Sequence, residues 1–195
     1  MNELLKRYPC LEECKDSINN ALELMIDTYR SGGKVLVCGN GGSAADCEHI
    51  VGELMKGFMK KREVTDNRIP EEMRKNLQGS LSAISLPSQS AVLSAFINDV
   101  EPMMMYAQLV YGYAKQNDLV IGISTSGNSK NVVNAVEVAR CMGVKTLSLT
   151  GQSPPFLLLD TSMGTARSSF SRLELGHARL PSSTYRPTRP SEPMP

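Results

Sequence analysis

Two segments of this 195-residue chain follow one pattern. VLVCGNGGSA (residues 35–44) and VIGISTSGNS (residues 120–129) each run an apolar strand into a loop of small residues, and helical sequence follows. Strands that read as unbroken apolar runs, rather than alternating with polar residues, are buried on both faces. Strands separated by helices therefore predict an α/β fold, a three-layer αβα sandwich around a mainly parallel sheet. In such a sheet the loops at the carboxyl ends of the strands are where ligands bind.

The rest of the chain fits that frame up to residue 151. Apolar residues recur at helical spacing over residues 4–29 until Ser31-Gly32-Gly33 stops them, which predicts one long N-terminal helix. After the glycine loop the helical pattern runs to Met59. Residues 60–79 are polar and charged and read as a surface insertion in which Pro70 starts a short helix. A second strand is expected over 80–86, a helix after Pro87, another over 102–116, a strand over 118–124, a helix over 130–142 and a strand over 144–149.

Composition narrows the partners. Lysine plus arginine (21) nearly balances aspartate plus glutamate (20), so no strong field draws in nucleic acid or an anionic membrane. A small ligand is the expected partner. The N-terminal sequence lacks a signal-peptide apolar core and no run approaches the ~20 residues that span a bilayer, so a cytoplasmic location is expected. The five cysteines (Cys10, Cys14, Cys38, Cys47, Cys141) have no CxxC spacing and read as reduced packing residues.

The loops carry the chemistry. Glycines 39, 41 and 42 let the backbone turn tightly and bring N–H groups to a ligand, and Ser43 opens a helix whose unpaired N–H groups and dipole favour an anion. Ser124, Thr125, Ser126 and Ser129 supply a dense set of hydroxyls suited to one phosphate. Neither loop contains a fixed cation, which excludes the nucleotide P-loop pattern. Gly39, Gly41 and Ala44 do match the dinucleotide string GxGxxA. The acidic residue that should follow about 20 positions later lies instead in the polar insertion, as Glu63 or Asp66. One turn apart on the following helix, His49 and Glu53 can bind a divalent metal, serve as a general base or form a solvated ion pair.

Taken together, GNGGSAADCEHIVGEL and GISTSGNS resemble the sugar isomerase (SIS) domain family, which has a flavodoxin-like sheet, and within it the phosphoheptose isomerases. The resemblance covers residues 1–151. It implies conversion of sedoheptulose 7-phosphate to D-glycero-D-manno-heptose 7-phosphate through an enediol, in a homotetramer with active sites between subunits. Position by position, it implies that Asn40, Gly41, Gly42, Ser43, Ser124, Thr125, Ser126 and Ser129 hold the phosphorylated sugar, with Asn98 and Asp99 near the sugar. Glu53 is the implied catalytic carboxylate, and His49 with Glu53 the implied zinc ligands. The family's last helix carries a glutamine and a histidine, and nothing after Gly151 matches it; His177 lacks the glutamine eight residues upstream. The implied zinc is then short of a third ligand, so reduced activity is expected, and the alternative is a non-catalytic sugar-phosphate-binding or adaptor protein. Residues 152–195 are rich in proline, serine and arginine without valine, isoleucine or lysine, so no strand or helix is expected there. Either a shifted reading frame or a natural disordered tail accounts for that composition.

Overall fold

Strands form where valine, isoleucine and leucine crowd, and a glycine or a polar turn bounds each of them. The computed structural model describes residues 2–57 and 59–151, with the backbone of 157–159. In chain order the elements are α1 (Asn2–Arg7), a 3-10 turn (Pro9–Cys14), α2 (Lys15–Arg30), β1 (Val35–Gly39), α3 (Gly42–Met55) and α4 (Glu71–Arg74). Next come β2 (Ala83–Ser85), α5 (Ser90–Asp99), a 3-10 turn (Pro102–Met104) and α6 (Met105–Tyr113). β3 (Leu119–Ser124), α7 (Lys130–Cys141), β4 (Lys145–Thr150) and β5 (Leu157–Leu159) complete the series.

The sheet order is β2-β1-β3-β4-β5, with β1 parallel to β2 and β3, and β3 parallel to β4. Strand alternation divides the core. Val35, Val37, Leu119, Ile121 and Leu147 pack with α2 and α3 residues such as Leu24 and Val51, whereas Leu36, Cys38 and Val120 pack with Tyr106, Val110, Val132 and Ala135 of α6 and α7. The expected three-layer sandwich is thus present. At Gly122 a Cβ would lie 2.9 Å from Val132 Cγ1 and 3.0 Å from Val136 Cγ2, so a strand residue without a side chain lets α7 seat closely on the sheet.

The chain leaves β1 towards β2 on one side and leaves β3 towards β4 on the other, which makes the β1/β3 pair the switch point of the sheet. Their last registered pair, Gly39 with Ile123, brings the two small-residue loops side by side, and β3 runs one residue further to pair Ser124 with Thr150 of β4. At the opposite edge Asp118 accepts from both the backbone and the side chain of Lys34 and from Lys115 N–H, tying β1 to β3.

Four expectations change. The long N-terminal helix is broken at Tyr8-Pro9: Tyr8 is extended (φ −130°, ψ 77°), because proline clashes with a helical predecessor and has no N–H to give. α3 ends at Met55 rather than Met59. Lys56 turns extended, Gly57 N–H donates to Gln78 Oε1 at 2.9 Å, and the Arg62 guanidinium caps Leu54 O (3.2 Å) and bonds Gly79 O (3.0 Å), closing the base of the polar insertion. The expected 102–116 helix starts as a 3-10 turn and finishes at Tyr113, with Ala114 extended. The sequence predicts no strand after 151, yet β5 pairs antiparallel with β4, an edge whose open N–H and C=O groups accept any extended segment. The two readings of the 152–195 tail, and His177, otherwise lie outside the described residues. The helix after Pro70 forms as Glu71–Arg74 within a mostly exposed segment.

Candidate functional site

The glycine loop is shaped by two different constraints. A Cβ on Gly39 would sit 2.8 Å from Ser43 Cβ and 2.9 Å from Ser43 O, so the first glycine permits the chain to fold back against its own helix. Gly41 has φ 57° and ψ −121°, a conformation that residues with side chains rarely adopt. The turn is held by Ser43 N–H to Asn40 O (3.0 Å) and Ala44 N–H to Gly41 O (3.0 Å). From the neighbouring layer the buried Tyr106 hydroxyl donates to Gly39 O at 2.7 Å. Burial, then the nearby Cys38 and Cys47 thiols, push that phenol up to about 12, so it stays a donor.

In the hydroxyl loop, Ser124 Oγ donates to Ser129 Oγ at 3.1 Å and accepts from Ser129 N–H at 3.4 Å. Ser126 Oγ accepts Asn128 N–H at 3.2 Å, and Gly127, at φ 69°, returns its N–H to Ser124 O at 2.9 Å. Ser129 is the cap residue of α7, and its side chain makes no cap bond. The N–H groups of Lys130 and Asn131, in the first turn of α7, thus open beside Ser124 and Ser129, a setting that favours an anion, while that of Val132 is taken by Asn131 Oδ1. Thr125 and Ser126 are exposed, and Gly151 N–H to Thr125 O (3.0 Å) anchors the loop to the end of β4.

The two loops are joined directly. Asn40 and Asn131 exchange two amide hydrogen bonds, each of 2.9 Å, and Asn131 Oδ1 also accepts Val132 N–H at 3.0 Å. Sequence reading missed Asn131, which sits inside a helical pattern 91 residues from its partner. It also did not single out Lys130, the exposed first residue of α7, which no salt bridge engages among the described residues.

His49 and Glu53 lie on α3, with Nε2 3.9 Å from Oε1 and the side chains 78% and 46% exposed. Ten residues at ~1.5 Å each put Glu53 about 15 Å along the helix from Ser43. Leu81 N–H bonds Leu54 O at 2.9 Å, so α3 ends at the amino edge of the sheet, and both side chains lie on its way down. Asn98 and Asp99 end α5, with Asn98 Nδ2 donating to Asp99 Oδ1 at 2.7 Å; among the described residues no hydrogen bond ties either to the two loops. A concavity of about 360 Å³ opens at the far, amino edge, lined by residues including Gly33, Lys34 and Asn117. Of the two lysines that line it, Lys34 and Lys115, the first is already paired with Asp118.

Among the described residues, those expected to hold zinc supply an incomplete ligand set. His49 and Glu53 supply two ligands, no group of three or more His, Cys, Asp or Glu gathers among the described residues, and zinc takes three or four from a protein. The cysteines are free. Burial pushes the Cys47 thiol up to about 12 and Cys38 up as well, so both are neutral packing groups. No helix among the described residues is long and apolar enough to cross a membrane.

The SIS domain model matches residues 1–151. The chain is 39% identical over 150 residues to the phosphoheptose isomerase of Helicobacter pylori strain P12, a match covering 77% of this chain and 69% of that protein. With the phosphoheptose isomerase of Aliarcobacter butzleri strain RM4018 it shares 37% over 142 residues, covering 73% and 67%. The phosphoheptose isomerase structure from Francisella tularensis aligns with a TM-score of 0.58 at 30% identity, covering 72% of this chain and 65% of that one. The one from Neisseria gonorrhoeae aligns with a TM-score of 0.55 at 32% identity, covering 68% and 61%. The chain therefore spans just under two thirds of either solved chain.

Proposed function

Because the chain belongs to the SIS domain family, we propose that it is a sugar-phosphate isomerase that interconverts sedoheptulose 7-phosphate and D-glycero-D-manno-heptose 7-phosphate. The observation that carries this reading is the side-by-side placement of the glycine and hydroxyl loops at the switch point, joined by Asn40 and Asn131. Gly41, Gly42 and Ser43 on one side and Ser124, Thr125, Ser126 and Ser129 on the other hold the phosphate. Lys130 lies where its charge would neutralise it.

The sugar then extends along α3 towards His49 and Glu53. The ~15 Å rise from Ser43 to Glu53 matches an extended sugar phosphate together with the contacts at its two ends, since helical side chains lean back towards the N-terminus. Ketose–aldose exchange moves one proton between adjacent carbons. Glu53 takes it from C1 of the ketose to give the enediol and returns a proton to C2, while the hydroxyl proton on O1 is given up and one is gained at O2. The described ligand set is incomplete, so no step here passes through zinc. Asn98 and Asp99 are assigned to the sugar end of the pocket.

Glu53 and His49 are open to solvent in the single chain, and proton transfer at carbon works best shielded from water. A homotetramer whose neighbouring subunits close the pocket, in the cytoplasm, accompanies this reading. Leu22 and Ile26, exposed one turn apart on α2, support an interface there. Incubating the chain in deuterated water with sedoheptulose 7-phosphate or fructose 6-phosphate tests the assignment. Aldose formation and deuterium at C2 are expected from the heptulose alone. Incorporation from neither sugar would favour a non-catalytic sugar-phosphate-binding protein.

A further inference from the structure

The reciprocal amide pair does more than join two loops. Beyond Gly39 and Ser124 the sheet ladder no longer fixes the distance between the chain leaving β1 and the chain leaving β3. Asn40 and Asn131 form the first cross-link past that point. Asn131 is 7% exposed, and its orientation is decided locally: Val132 N–H must face an acceptor, which makes that arm of the amide the oxygen and leaves Nδ2 to donate to Asn40 Oδ1. Asn40 can then complete the ring only by giving Nδ2 to Asn131 Oδ1. The residue held in this way is also the one whose carbonyl receives Ser43 N–H at 3.0 Å. On the other side, Asn131 follows Ser129 by two residues, in the first turn of α7.

Ser43 and Ser129 are therefore linked through a short chain of bonds: Ser43 to the Asn40 carbonyl, the Asn40 amide to Asn131, and the α7 backbone to Ser129. A ligand that touches both loops needs their separation set in advance; otherwise part of its binding energy goes into ordering them. We propose that Asn131 is a positioning residue that acts through Asn40 to hold the glycine loop and the hydroxyl loop at the spacing of a single phosphate group. This rests on the reading of the loops as one phosphate site.

A double-mutant cycle on the full chain tests it, with affinity for inorganic phosphate and for sedoheptulose 7-phosphate measured by calorimetry and the thermal midpoint recorded for each variant. Asn131→Ala is expected to weaken both affinities by about tenfold, the scale of one ordering cost, and to raise KM with little change in kcat. Adding it to Asn40→Ala should cost nothing further, because the pair acts as a unit. Should Asn131→Ala fail to fold, Asn131→Asp serves instead. The carboxylate it introduces opposes Asn40 Oδ1 at neutral pH, whereas the protonated acid can both donate and accept, so its affinity relative to the parent chain should recover as pH falls. Phosphate affinity within twofold of the parent in Asn131→Ala, losses that multiply in the double variant, or a deficit in Asn131→Asp that does not change with pH would each overturn the proposal. A parent chain that binds no phosphate would remove the functional reading first, and this one with it.

Discussion

The Tyr106 hydroxyl on α6 donates to the Gly39 carbonyl at 2.7 Å, so a helix in one layer holds the residue where the glycine loop leaves the sheet. The ring is buried against Cys38 and the other residues of that face. Tyr106→Phe keeps the ring and removes only the donor, leaving a buried carbonyl short of a partner. It should destabilise the chain by about 1–3 kcal/mol in urea unfolding. A change smaller than that would mean that the carbonyl is satisfied without Tyr106.

The glycines of the first loop should not be equivalent. Gly39→Ala forces a Cβ into the Ser43 backbone and should cost about 1–3 kcal/mol, as overpacking does. At Gly42 nothing lies within 4 Å of the added Cβ and the residue opens a helix, so Gly42→Ala should be neutral or slightly stabilising. Thermal midpoints of the two variants check the ordering.

Ser124 is 7% exposed and bonded to Ser129, which places its hydroxyl inside the second loop rather than on its rim. Ser124→Ala should weaken phosphate affinity by about 10- to 100-fold, the scale of a hydrogen bond to a charged group of ~1.5–3 kcal/mol, and lower the unfolding midpoint only modestly, by the ~0.5–1.5 kcal/mol of its lost bonds with Ser129. Titration calorimetry with inorganic phosphate reads the first effect and a melting curve the second.

Much of this arrangement is legible in the chain. The apolar runs at 35–38 and 119–123 announce buried strands, and the glycines and hydroxyls after them mark where the loops turn. Other features are non-local. Nothing within VLVCG says that it pairs with β3 as well as β2, so the strand order that puts the two loops together had to come from the structure. Asn131 is one polar residue in an amphipathic helix, and only its contact with Asn40 gives it a role. Nor does the sequence disclose how open Glu53 is: in the single chain the implied catalytic carboxylate stands 46% exposed. Pro9 is a local signal strong enough to predict the break after α1, and apolar periodicity masks it.

Alkaline pH should destabilise the fold. Burial raises the folded-state values of Cys38 and Cys47 above the thiol's ordinary 9.0, and those of Tyr29 and Tyr106 above the phenol's 10.0, the last three to about 12. A raised acid binds its proton more tightly folded than unfolded, so its contribution is complete below the unfolded value and is lost as pH climbs towards the folded one. The thermal midpoint should hold between pH 7 and 8, fall from about pH 9 and keep falling to about pH 12. Cys47→Ala should flatten the early part of that fall.

The central claim is that the paired loops hold a sugar phosphate while Glu53 moves the proton, and turnover of sedoheptulose 7-phosphate by the parent chain and by Glu53→Gln tests it most directly. The amide keeps the shape and loses the base, so the variant should bind the sugar phosphate with nearly unchanged affinity while its turnover falls by at least the ~100-fold that a positioned base contributes. A parent chain that binds without turning over, or a Glu53→Gln variant that turns over as fast as the parent, would contradict the account.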